Sequence, residues 1–121
     1  MTDLRFPKSH RILRRVDIRA VYDQGTPYRN AGFHLFVMPH KQTGPTRIGL
    51  TTTRTLGNAV VRNRLRRWAR ETYRMHYSNL ETGWDLVLNY HRQLAEVDRK
   101  EFDRLFIDVL KKSKVLHPDG A

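Results

Sequence analysis

The sequence predicts a mixed α/β domain, one sheet with helices packed on it, in the order α-β-β-β-α-β-α. Three observations lead there. The 121 residues can bury one modest core but not two. Segments 58–77 and 98–110 carry apolar residues at helical spacing, and a shorter segment of the same kind opens the chain. Between them lie short runs of aromatic and β-branched residues bounded by Gly and Pro, the pattern of strands.

In the first helix, residues 14–24, Ile18, Val21 and Tyr22 fall at i, i+3 and i+4, and Gly25 stands where a helix C-terminal cap would sit. Residues 27–29 predict a short edge strand, and 33–38 and 47–53 two further strands, with Thr43-Gly44-Pro45 between them as a turn. The long helix starts after Gly57, with Asn58 as its N-cap, and runs to about Tyr77. Residues 84–90 form the next strand, Trp84, Leu86, Leu88 and Tyr90 sharing one face. Asp98-Arg99-Lys100-Glu101 resembles a capping box and opens a last helix that buries Phe102, Leu105, Phe106, Val109 and Leu110. A single domain over 1–121 is expected, with its core at about 8–114 and loose tails at both ends.

Composition narrows the chemistry. The chain has no Cys, which removes disulfides, thiol nucleophiles and Cys-based metal sites. With no long apolar run and no apolar signal-peptide core, a soluble, cytoplasmic protein without membrane contact is expected. The formal net charge is +11, from 23 Lys and Arg against 12 Asp and Glu, and 17 of the cations are Arg. That bias favours a polyanion, because a planar guanidinium holds phosphate oxygens bidentately and stacks on bases. The excess is concentrated: no acid lies between Asp23 and Glu71, a segment that holds nine arginines and lysines. Two-metal phosphodiester hydrolysis needs convergent carboxylates, and this cationic segment has none.

Projected at roughly 100° per residue, the long helix puts Arg62, Arg66, Tyr73, Arg70, Asn63, Arg74 and Arg67 within an arc of about 140°. Val61, Leu65, Trp68, Ala69, Thr72 and Met75 form the face expected to meet the sheet, with Arg64 near the border. A solvated face normally intersperses acids at i+3 or i+4 to relieve repulsion, and only Glu71 is placed to do so here. The missing counter-charge points to a ligand with phosphates.

The run Gly57-Asn58-Ala59-Val60-Val61-Arg62-Asn63-Arg64-Leu65-Arg66-Arg67-Trp68-Ala69-Arg70-Glu71 resembles the RNR signature of the bacterial ribonuclease P protein subunit. Arg11-Ile12-Leu13 with the following helix, the Arg47-Ile48-Gly49-Leu50 strand and the 84–90 strand fall in matching order, so the resemblance covers roughly residues 8–114. It implies a two-layer α/β sandwich like the second domain of ribosomal protein S5, with a left-handed β-α-β crossover where general chirality would favour a right-handed one. It further implies an accessory to a catalytic RNA that cleaves the 5′ leader from precursor tRNA, with Mg²⁺ held mainly by the RNA. The partners would be that RNA and precursor tRNA, with no obligate protein partner. Carried over position by position, the RNA-facing set is Arg54, Asn58, Arg62, Asn63, Arg64, Arg66, Arg67 and Arg70. The cleft for the single-stranded leader would be lined by Ile18, Tyr22 and Phe36, with Thr51 and Thr53. Two departures stand out: Ile18 replaces a usual stacking Phe, and Thr55 a usual basic residue. No catalytic residue and no protein metal ligand is expected.

Other readings carry their own tests. Asn58 is a cap first and a contact second. Tyr22 and Phe36 also fit ordinary packing, and Trp68 and Trp84 belong to the core. A metal-free nuclease would need two histidines to meet, His34 with His76 or His91. A structural RNA-binding protein would explain the charge but not a separate aromatic cleft. A DNA reader would need a second helix at helix-turn-helix spacing ahead of the arginine helix, and none precedes it.

Overall fold

A computed structural model describes residues 11, 12, 14–40, 44–51 and 56–116. Along the chain run α1 (Arg15–Gln24), β1 (Thr26–Arg29), β2 (Phe33–Pro39), β3 (Arg47–Thr51), α2 (Ala59–His76), β4 (Trp84–Tyr90) and α3 (Arg99–Lys112). Short 3₁₀ turns follow α2 at Tyr77–Asn79 and β4 at Arg92–Glu96. This is the expected element order; residues 52 and 53, the expected end of the third strand, lie outside the described residues, as does Thr43 of the expected turn.

The strands form one sheet ordered β1-β2-β4-β3. β2 pairs antiparallel with both β1 and β4, while β3 runs parallel to β4 with Ile48 opposite Leu86 and Leu50 opposite Leu88. β2 and β3, successive in sequence, are therefore separated by β4. Parallel neighbours cannot be joined by a tight turn, and α2 supplies the crossover between β3 and β4.

Strand alternation sends each residue set to its own face. Phe33, Leu35 and Val37 of β2 and Leu86 and Leu88 of β4 pack under α2 and α3, in one cluster with Leu65, Ala69, Phe102, Phe106, Val109 and Leu110. Trp84 and Tyr90 join its margin, as their shared alternation predicts. Val115 and Leu116, just beyond α3, are buried in the same cluster. The opposite face carries a smaller cluster in which Ile12, Val21, Met38 and Val87 are buried and Ile18, Tyr22 and Phe36 are partly covered, with α1 laid across it.

The caps explain where the helices begin and end. Asn58 caps α2 by accepting from the Val61 N–H at 3.0 Å, and Asp98 caps α3 by accepting from the Glu101 N–H at 2.9 Å. Glu101 does not complete a capping box; its carboxylate pairs with Arg104. Gly25 ends α1 through its N–H to the Val21 carbonyl at 2.8 Å, with extended backbone instead of the left-handed conformation of a usual glycine cap. Its role is close approach: a Cβ there would lie 2.4 Å from the Val21 oxygen. Gly57, at φ +144°, does need glycine's freedom and sets the entry into α2.

Candidate nucleic-acid interface

α2 is where sequence and structure differ most usefully. Its buried residues are Leu65, Ala69, Thr72 and Tyr73. Tyr73, expected among the arginines, instead turns inward and donates its hydroxyl to the Thr46 carbonyl at 2.9 Å. Met75, expected inside, is 72% exposed. Both corrections have one cause: the sheet meets the helix on a stripe rotated by about 40° toward Arg62. Burial pushes the Tyr73 phenol well above its usual pKa, so it stays a neutral donor.

The rotation places Arg62 and Arg66 at the edge of the core, both half-buried, while Asn63, Arg67 and Arg70 stay exposed. Asn63, Arg66, Arg67, Arg70 and Arg74 line one shallow, open depression. Asn63 accepts a hydrogen bond from the Arg66 guanidinium at 2.8 Å, which orients that arginine outward along the helix. Arg74 belongs to this surface although the expected site set left it out; its place in the projected arc was the signal. Asn58 lies exposed at the N-terminal end with its side chain engaged as the cap. Arg64 stands apart: its guanidinium donates to the Ala95 carbonyl at 3.1 Å and lies 5.3 Å from the Trp68 ring, on the flank toward the 3₁₀ turn after β4. Arg54, Thr53 and Thr55 lie outside the described residues.

None of Arg62, Arg66, Arg67, Arg70 and Arg74 pairs with an acid among the described residues. Glu71, the acid that could have relieved them, is held by Arg99 of α3 at 2.8 Å, and Arg99 in turn binds Asp103. The acidic charge of this region is thus spent joining α2 to α3 on the far flank. Arg62 and Arg64 in the first two turns also oppose the helix dipole, an arrangement that an anion bound there would reverse.

The second expected region assembles on the α1 face. Tyr22 meets Phe36 edge-on, with ring centroids 4.9 Å apart, and Phe36 lies 4.5 Å from the His34 ring at a shallow tilt. The Tyr22 hydroxyl bonds to Thr51 at 3.2 Å and to Asn89, which also accepts from Thr51. Asn89 was not anticipated, yet it alternates with Val87 and Asp85 on that face of β4. Ile18 packs in the small cluster, in van der Waals range of where a Gly49 Cβ would stand, so it acts here as packing. His34 is held below its usual pKa by burial, with the charges of Arg29 and His91 acting in the same direction. His91 lies near the start of β2, its backbone N–H donating to the Gly32 carbonyl at 2.9 Å, whereas His76 is on α2, its ring bonded to the Thr72 carbonyl at 3.0 Å. At the other end of this face Asp85 is buried and receives a bidentate Arg47 at 2.9 Å on both arms, with His40 3.7 Å away.

Two surfaces result: an arginine row on α2 without acidic partners among the described residues, and a half-buried aromatic and amide cluster where α1 packs on the sheet. The family model for ribonuclease P matches residues 6–114. The chain belongs to the ribonuclease P protein family. A ribonuclease P protein component from Clostridium novyi is 31% identical over 107 residues, spanning 88% of this chain and 95% of the relative. One from Desulfovibrio desulfuricans is 42% identical over 103 residues, spanning 75% and 79%. Among solved structures, an RNase P protein of Staphylococcus aureus matches with a TM-score of 0.86 at 26% identity, covering 91% of this chain and 100% of that one. The RNase P protein of Thermotoga maritima gives 0.76 at 25% identity, covering 84% and 96%. Family membership makes the chain a ribonucleoprotein subunit of tRNA processing, on the mixed α/β fold of those RNase P proteins. No helix among the described residues is long and apolar enough to cross a membrane.

Proposed function

We propose that the chain binds the catalytic RNA of ribonuclease P through α2 and the 5′ leader of precursor tRNA through the partly exposed cluster where α1 packs on the sheet, promoting maturation of the tRNA 5′ end by the RNA. The observation that carries this is the arginine row without acids of its own. Guanidiniums without a carboxylate partner bind phosphate without first breaking an ion pair, and each phosphate neutralised releases condensed counterions. By screening repulsion between ribozyme and substrate backbones, the row tightens substrate binding and lowers the Mg²⁺ requirement. In that cluster, Tyr22, Phe36 and His34 offer ring surfaces and Asn89 and Thr51 offer hydrogen-bonding groups, a combination suited to unpaired bases. Mg²⁺ is on this reading held by the RNA. The protein works in the cytoplasm, with RNA and precursor tRNA as partners and no obligate protein partner.

The test is precursor-tRNA cleavage at low Mg²⁺ with protein alone, the cognate RNA alone, and both. Cleavage only in the combined arm, giving a mature 5′ end, is expected. The double variant Arg62→Ala, Arg66→Ala should weaken RNA binding at least tenfold and raise the Mg²⁺ requirement, each phosphate contact being worth about one charge-assisted hydrogen bond. An unchanged Mg²⁺ requirement in that variant would remove α2 from the mechanism, and cleavage by rigorously purified protein alone would move the chemistry into the protein.

A further inference from the structure

The α1 face of the sheet carries a row of polar side chains that crosses all four strands. Register sets it: Arg29 of β1 stands opposite His34 of β2, His34 opposite Asn89 of β4, and Asn89 opposite Thr51 of β3. Partners in register project to one side of a sheet, and Tyr28, next to Arg29, packs into the larger core on the other side. α1 lies across β2 and β4 and packs on Phe36 and Val87 of the neighbouring row, reaching the polar row through the Tyr22 hydroxyl. Arg29 is exposed, and His34, Asn89 and Thr51 are half-buried, so every member keeps some surface in solvent.

The two ends of the row differ in chemistry. At the β3 end Thr51, Asn89 and Tyr22 bond to one another, and in the middle the His34 ring lies against Phe36. Burial, and after it the charges of Arg29 and His91, hold His34 below its usual pKa, so at neutral pH it is an uncharged ring. Arg29 is therefore the cation of the row, and no acid pairs with it among the described residues. An unpaired nucleotide strand needs both kinds of surface, flat or hydrogen-bonding groups for its bases and cations for its phosphates. With neighbouring strands about 4.8 Å apart the row is about 14 Å long, room for more than one nucleotide. We infer that the track for the single-stranded leader continues past the aromatic cluster and across β2 to the edge of the sheet, where the Arg29 guanidinium holds a leader phosphate. This rests on the reading of the α1 face as the leader-binding face, and it adds a direction for the strand and an anchor on β1.

The experiment assembles the full chain, Arg29→Ala and Phe36→Ala each with the cognate ribonuclease P RNA and measures affinity for precursor tRNAs whose leaders are lengthened one nucleotide at a time from the mature 5′ end. Phe36→Ala should lose affinity as soon as the leader reaches the cluster. Arg29→Ala should match the parent on mature tRNA and on short leaders, then miss the last increment that the parent gains, ending about fivefold weaker at low salt. On long leaders its slope of log affinity against log salt should be shallower by about 0.7, the value for one phosphate of a single strand. Parent-like affinity of Arg29→Ala at every length, beside a weakened Phe36→Ala, would overturn the anchor and leave the leader on the aromatic cluster. An equal loss at every length, mature tRNA included, would overturn it too, because Arg29 would then meet the tRNA body or the catalytic RNA. If neither variant changed the dependence on leader length, the reading of the α1 face would fall and the anchor with it.

Discussion

The two faces of the sheet are made from alternate residues of the same strands, and they are finished differently. Under α2 and α3 the packing is nearly all apolar, Phe33, Phe102 and Phe106 meeting edge-on or stacked within about 6 Å of one another. Under α1 the apolar cluster has four buried members, Ile12, Val21, Met38 and Val87, and their neighbours Ile18, Tyr22 and Phe36 remain partly open. On the proposed reading, the first face holds the molecule together while the binding chemistry projects outward from the far side of α2. On the same reading the second face would do both jobs at once, its ligand surface and its packing surface sharing side chains. Substitutions should therefore separate stability from binding cleanly on one face and mix them on the other.

β2 provides the sharpest test, because Phe33 and Phe36 belong to opposite faces. Phe33→Ala, at a fully buried site touching three other aromatic rings, should cost about 3–5 kcal/mol of folding stability. Phe36→Ala should cost roughly 1–2 kcal/mol, because the ring is only half covered. Leader affinity should show the reverse order: the folded fraction of Phe33→Ala should bind as the parent does, while Phe36→Ala loses up to the 1–3 kcal/mol typical of one base stacked on an aromatic ring. Equal destabilisation by urea would mean that the α1 face is as much a core as its opposite.

A smaller effect is expected at the closed end of the α1 face. Asp85 is 3% exposed and its carboxylate depends on the two arms of Arg47, with His40 more distant. Arg47→Met should keep most of the aliphatic packing and leave a buried carboxylate underpaired, at a cost of about 3 kcal/mol in urea titration. Asp85→Asn should be milder, because an amide oxygen still accepts from Arg47 and no buried charge is stranded. If the two variants were equally destabilised, loss of shape and not of charge pairing would be the cause.

Much of this architecture was legible in the sequence because it rests on periodicity. The spans of β2, β4, α2 and α3 follow from alternation or helical spacing together with a cap, and both caps, Asn58 and Asp98, are local features. The orientation of α2 could be read only to within part of a turn. Where the sheet meets it depends on residues far away in sequence, such as Thr46, which draws Tyr73 inward. Arg64 was placed at the border of the arc, but its commitment to the Ala95 carbonyl needs the 3₁₀ turn after β4, which no spacing announces. The pairing of Glu71 with Arg99 is of the same kind: the sequence shows one acid near many arginines, and only packing shows that it is already taken. Gly25 sits at the C-cap as its position in the sequence predicts, and what spacing could not show is the close approach that excludes a Cβ there, 2.4 Å from the Val21 oxygen one turn back and 3.2 Å from the Val37 oxygen of β2.

The mildest difference between the faces is in their response to pH. The two tyrosines buried under α2 and α3 have phenols raised far above neutrality, so neither titrates near pH 7. His34 on the α1 face is held below 6.5 by burial and by the nearby Arg29 and His91. Above pH 6.5 it is neutral in both folded and unfolded chains and contributes nothing to pH dependence. As pH falls through that value the unfolded chain takes up a proton that the folded chain refuses, so stability declines until the lower, folded-state pKa is passed and the loss is complete. His34→Gln removes this contribution while keeping a polar side chain beside Phe36. Between about pH 7.5 and 5.5, the parent should therefore lose more melting temperature than the variant, with the two converging in their response above neutrality. A parent that instead gained stability relative to His34→Gln on acidification would mean that the imidazolium is stabilised on this face in spite of Arg29 and His91.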